Sequence, residues 1–114
     1  VKEDQINTVT AISGSGPAYF YLLTEYLFKA GIEKGLDEQT SRTLAEQTLI
    51  GAAKTLKDQS ENVEELRAKV TSKGGTTQAA IESFEIDEFN KIVRSAVNAA
   101  QNRADELNET SRIK

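Results

Sequence analysis

Two short stretches of this chain place glycines and hydroxyl side chains close enough together to bind something charged. The first is KVTSKGGTTQAAI, from Lys69 to Ile81. Gly74 and Gly75 break the chain ahead of two threonines and a helical pattern. A helix N-terminus offers N–H groups without intrahelical acceptors, together with the positive end of the helix dipole. Ser72, Thr76 and Thr77 add hydroxyls, so this corner suits a carboxylate or a phosphate. The same residues also fit a plain helix–turn–helix corner with threonine capping. The second stretch is ISGSGPAYFY, from Ile12 to Tyr21. A dinucleotide cradle needs Gly-x-Gly-x-x-Gly between a strand and a helix. Here position 19 is tyrosine, and helical sequence precedes Gly14-Ser15-Gly16. These glycines are therefore read as a corner: Gly14 ends one helix, Gly16 permits a tight bend and close backbone approach, and Pro17 opens the next helix.

Most other catalytic chemistry is excluded by what the chain lacks. It has no histidine and no cysteine, hence no imidazole base, no thiolate, no disulfide framework and no ready metal site. Glu82, Glu85, Asp87 and Glu88 could suggest paired carboxylates, but exposed helix ends collect such residues. The net charge is −4 and the 14 basic residues are scattered, which argues against a nucleic-acid partner. The longest apolar run, Ala18 to Leu23, is far too short to span a bilayer, and no signal peptide is visible. A cytoplasmic location is expected.

The elements that position these residues are helical. At 114 residues, with 38% hydrophobic and 28% charged side chains, the chain fits one globular domain, residues 1–114. It opens at Val1 and contains no methionine, and is read as a piece of a longer protein. Leu44, Ala45, Thr48, Leu49, Ala52, Ala53 and Leu56 follow the i, i+3, i+4 pattern, as do Phe89, Ile92, Val93, Ala96, Val97, Ala100, Ala104 and Leu107. No alternation of β-branched residues competes with them. The fold class is all-α, a bundle of about five to six helices. One helix is expected over about residues 3–12, and a second from Pro17 to about Lys34, stopped by Gly35. A third should run from near Asp37 or Thr40 to about Gln59. Asn62, with Glu65 three residues on, reads as the capping box of a short fourth. A short helix follows the glycine pair, and Asp87 caps a long last helix that frays near Asn108.

The second helix carries Tyr19, Phe20, Tyr21, Leu22, Leu23, Tyr26, Leu27 and Phe28 over most of its circumference. A helix apolar all round is buried all round, and a chain this short cannot easily surround it. A second copy is expected to do so, giving a homodimer. A central helix in a monomeric bundle is the alternative.

SGSGPAY, followed some fifty residues later by LRAKVTSKGGTTQAAIESFE, resembles the C-terminal domain of the pyrroline-5-carboxylate reductases. The resemblance extends through AGIEKGL, TLIGAAKTL and the last helix, and so over essentially the whole chain. Lys73 departs from it, standing where the family usually has proline. The resemblance implies an N-terminal dinucleotide-binding domain outside this chain, which holds NADPH or NADH, so that no cofactor is expected for this piece alone. It also implies dimers with interlocked helices, rings of dimers, and reduction of the cyclic imine 1-pyrroline-5-carboxylate to L-proline. By the same resemblance, the N–H groups around Gly74, Gly75 and Thr76, with Ser72, hold the substrate carboxylate. Thr77 reaches the ring nitrogen as the catalytic residue, and Thr10 lies near the nicotinamide. A helical assembly module without catalytic duty is the competing function. An open, hydroxyl-lined loop from Ser72 to Thr77 favours the reductase, and a loop packed shut favours the module.

Overall fold

A computed structural model describes residues 2–113. Helices account for almost all of it, and no strand occurs among the described residues. The segments are α1 (Ile6–Val9), α2 (Gly16–Glu33), α3 (Glu38–Asp58), α4 (Val63–Lys69), α5 (Thr76–Ile86) and α6 (Phe89–Ile113). A 3₁₀ turn, Glu3–Gln5, leads into α1, and a π-helical stretch, Thr10–Gly14, follows it. The expected single first helix is thus three tightening and loosening helical types in sequence. The chain divides into two units, one of residues up to Phe20 with Phe84 onward, the other of residues 21–83.

In the first unit, α6 lies along α1 and the π-helical stretch. Val97, Ala100 and Ala104 of the α6 stripe are half-buried. Small residues there let the backbones come close, and Ala11 of the π-helical stretch is fully buried. Asn7 pins the two segments: its side-chain amide donates to Asp105 Oδ1 (2.7 Å) and its carbonyl accepts from Asn108 Nδ2 (2.5 Å). The turn before α6 differs from expectation. Glu88, not Asp87, immediately precedes the helix, and it does so in the left-handed region at φ 57°. The Phe84 and Phe89 rings meet across this turn with centroids 4.9 Å apart. α6 also continues past Asn108, to Ile113.

In the second unit, α2 ends in a Schellman turn. Gly35 sits at φ 105°, its N–H donates to Ile32 O, and the Leu36 N–H donates to Gly31 O. Asp37 then caps α3, accepting from the Thr40 N–H (2.9 Å) and hydroxyl (2.8 Å). These two bonds hold the Asp37 carboxyl below its ordinary range. Where α2 and α3 approach, the Ser41 hydroxyl donates to Phe28 O at 2.7 Å, and Ser41 is 3% exposed. A Cβ on Gly31 would lie 2.1 Å from that hydroxyl oxygen, so only glycine fits. The Arg42 guanidinium covers the Phe28 ring at 4.2 Å. The expected capping box of α4 is present in full, with Asn62 and Glu65 each bonding the other's backbone N–H.

Little else in the second unit is covered. Its helices scarcely lie side by side. Along its part of α2, Tyr21, Tyr26 and Leu27 are 67%, 58% and 49% exposed. Along α3, Leu44, Ile50 and Leu56 are exposed as well. The apolar patterns form the expected helices, but this chain alone does not bury them.

Candidate functional site

The corner between α4 and α5 is built by backbone requirements that only glycine meets. After α4, the Thr71 N–H donates to Ala68 O and its hydroxyl to Arg67 O (2.6 Å), ending the helix. An ion pair of Lys69 with Glu61 braces α4 from outside. Ser72 to Gly75 then form a four-residue turn, closed by the Gly75 N–H on Ser72 O at 3.0 Å. Gly74, third in the turn, has φ 76°, which other residues reach only with strain. Gly75 answers a different need. A Cβ there would lie 2.8 Å from Ser72 Oγ and 3.2 Å from Ser72 O. One glycine supplies conformation, the other space.

α5 begins immediately afterwards. Gly75 O accepts the Ala79 N–H, so Gly75 is the cap residue, and the N–H groups of Thr76 and Thr77 have no acceptor within the helix. No hydrogen bond from the hydroxyls of Ser72, Thr76 or Thr77 occurs among the described residues. Ser72 and Thr76 are exposed and Thr77 is half-buried. The corner is therefore open and lined with hydroxyls. No group of three or more acidic, histidine or cysteine side chains that could hold a metal ion occurs among the described residues.

Ser72, Gly74 and Gly75 in the turn and Thr76 and Thr77 at the start of α5 thus form one corner, in which the glycine N–H groups are already bonded within the chain. The Gly74 N–H donates to Gln78 Oε1 at 2.5 Å and the Gly75 N–H to Ser72 O. Neither is free for an anion. Both glycines shape the corner, and the N–H groups of Thr76, Thr77 and Gln78 are the ones without an acceptor within the helix. Gln78 was missed from the sequence. Its signal was there: a glutamine at the third helical position, which commonly reaches back to a backbone N–H ahead of the helix.

Thr10 belongs to the first unit. Its carbonyl accepts the Ser15 N–H at 2.8 Å, the i→i+5 bond of the π-helical register, and its hydroxyl donates to Ile6 O at 3.1 Å. The hydroxyl proton is therefore committed. Gly14-Ser15-Gly16 makes no phosphate cradle, because the Ser15 N–H is spent inside the helix. The close-approach role expected of these glycines has no counterpart among the described residues. A Cβ on Gly14 would make ordinary contact with Thr10, one on Gly16 would meet nothing, and neither residue has a positive φ. The bend comes from the π-helical register, clasped by the Tyr19 hydroxyl on Ala11 O at 2.6 Å. α2 starts at Gly16, one residue before Pro17.

An all-helical chain whose apolar helices stay uncovered among the described residues has the character of an assembly domain. The family model described as pyrroline-5-carboxylate reductase dimerisation matches residues 3–107, and the chain belongs to that family. The pyrroline-5-carboxylate reductase of Pseudomonas aeruginosa is 48% identical over 107 residues, covering 94% of this chain and 39% of that protein. Pyrroline-5-carboxylate reductase 1 of Bacillus subtilis is 42% identical over 109 residues, covering 96% and 37%. Among solved structures, the reductase of Coxiella burnetii superposes with a TM-score of 0.88 at 44% identity, covering 94% of this chain and 40% of that one. The Plasmodium falciparum enzyme, solved with NADP bound, gives 0.84 at 38% identity, covering 90% and 42%. The chain spans about two fifths of the length of these relatives.

Proposed function

We propose that residues 1–114 act as one helical domain, the dimerisation and substrate-binding part of a reductase that converts 1-pyrroline-5-carboxylate to L-proline. The observation that carries this reading is the open corner at Ser72–Thr77, with hydroxyls that make no hydrogen bond as donors among the described residues beside the first-turn N–H groups of α5. An open corner is what the substrate-binding reading expects, and a corner packed shut is what a non-catalytic assembly module would favour. The substrate is a cyclic imine bearing a carboxylate. The Ser72 hydroxyl and the N–H groups of Thr76 and Thr77 hold the carboxylate, where the helix dipole favours negative charge. The Thr77 hydroxyl meets the ring nitrogen. The nicotinamide cofactor, NADPH or NADH, supplies hydride to the C=N carbon. Attack on a protonated iminium avoids placing negative charge on nitrogen, so no imidazole is required and the residues act by positioning and electrostatics.

No dinucleotide cradle is built from the described residues of this chain. In this reading the cofactor is held mainly by an N-terminal domain preceding it in the full-length protein, with Thr10 near the nicotinamide. The exposed apolar faces of α2 and α3 pair with a second, interlocked copy, and dimers of this kind can close into rings. The enzyme works in the cytoplasm. The test is cofactor oxidation by the purified full-length protein with 1-pyrroline-5-carboxylate. Turnover is expected with the full-length protein and none with residues 1–114 alone, and calorimetry on the latter should find no NADPH binding tighter than millimolar. Absence of turnover in the full-length protein would overturn the reading.

A further inference from the structure

We infer that Gln78 is a positioning residue of the substrate corner: its side-chain carbonyl fixes the orientation of the Lys73–Gly74 peptide and thereby tunes carboxylate binding. The inference rests on the reductase reading above. The turn Ser72-Lys73-Gly74-Gly75 has positive φ at its third residue only, the pattern of a type II turn. Such turns favour proline at the second residue, because its ring presets φ there. Lys73 occupies that place and leaves the torsion soft. A type II turn converts to type I when its central peptide flips, and here that peptide joins Lys73 to Gly74. Its N–H is the one held by Gln78 Oε1 at 2.5 Å.

Gln78 is half-buried in the first turn of α5, on the same helix end as the Thr76 and Thr77 N–H groups. A flip would replace the Gly74 N–H with the Lys73 carbonyl oxygen at the edge facing Gln78. A carbonyl dipole at that edge would repel a carboxylate bound at the helix end, where an N–H does not. It would also force Gly74 out of the φ that shapes the corner. Gln78 therefore supplies from α5 the restraint that the second turn residue does not. Its effect belongs to substrate binding and not to hydride transfer, because it touches neither the reacting carbon nor the ring nitrogen.

A double-mutant cycle in the full-length enzyme tests this. Gln78→Met keeps the length of the side chain and removes the acceptor. It should raise KM for 1-pyrroline-5-carboxylate about threefold to tenfold, the effect of one backbone hydrogen bond, while kcat moves less than KM. Lys73→Pro should lower KM by a larger factor in the Gln78→Met enzyme than in the wild type, because each change restrains the same turn. Gln78→Ala serves in place of the methionine variant if that protein does not fold. A wild-type KM in the Gln78 variant overturns the inference, as do additive effects of the two substitutions or a loss confined to kcat. An inactive wild-type protein is a separate result: it removes the reductase reading itself, and the inference falls with it.

Discussion

At the residue scale, Ser72 and Thr77 offer hydroxyls that make no hydrogen bond as donors among the described residues, and their proposed duties separate on mutation. Thr77→Val keeps the shape and removes the hydroxyl. If that hydroxyl meets the ring nitrogen, its bond changes as the nitrogen passes from planar iminium to amine, so kcat should fall along with kcat/KM. A hydrogen bond to a charged group contributes about 1.5–3 kcal/mol, which corresponds to a loss of roughly 10- to 150-fold. Ser72→Ala should act mainly on KM, because the carboxylate is held alike before and during hydride transfer. Steady-state kinetics beside a thermal melt distinguish this from simple capping, in which Thr77→Val would lower the melting temperature and leave kcat/KM unchanged. The corner was legible in the sequence because a glycine pair before hydroxyls and a helical pattern has few structural solutions. The division of labour between Gly74 and Gly75 was not legible. It depends on where Ser72 Oγ and Gln78 Oε1 lie, and neither position is set by local spacing.

At the element scale, helix ends were the most readable features, because capping chemistry is local. The Asn62–Glu65 box and the Gly35 stop are present as the residues required. The π-helical stretch was not readable, since its register is fixed by Tyr19 reaching Ala11 and by packing on α6. The same holds for Gly31, whose need for glycine comes from Ser41, ten positions away. Gly31→Ala should cost about 1–3 kcal/mol in denaturant melts, as overpacking does. Gly31→Ala with Ser41→Ala should cost less than the sum of the two single changes, because the second removes the atom the new methyl strikes. The cap of α3 gives a pH test. Asp37 has a depressed folded-state pKa, so its charged form contributes stability that is present above the ordinary carboxylate value near 3.9 and is lost as pH falls through the depressed one. Asn at 37 also caps but does not titrate. The melting-temperature advantage of wild type over Asp37→Asn should therefore hold above about pH 5 and shrink as the pH falls below the ordinary carboxylate value near 3.9. A difference independent of pH would show that the charge contributes nothing.

At the scale of the whole molecule, the apolar circumference of α2 poses a problem that one copy of the chain does not solve. The chain exposes 9297 Å², whereas a folded monomer of 12.5 kDa typically exposes roughly 6,200 Å². The excess, about 3,000 Å² per chain or roughly 6,000 Å² for a pair, lies at or above the upper end of obligate dimer interfaces, so it is more than enough to supply one. The surface in question includes Phe20, Tyr21, Leu22, Leu23, Tyr26 and Leu27 of α2, every one of them exposed. Light scattering on residues 1–114 at micromolar concentration should accordingly report twice the chain mass. Leu27→Asp discriminates further. In a monomer Leu27 would stay half in water, and an aspartate there would cost little. In a dimer core the same aspartate is a buried, unpaired charge costing several kcal/mol, so the variant should dissociate or unfold. Dilution supplies an independent check, because an obligate dimer melts at a temperature that falls with protein concentration. A wild-type chain that scatters as a monomer, melts cooperatively at a concentration-independent temperature and tolerates Leu27→Asp would refute the dimer.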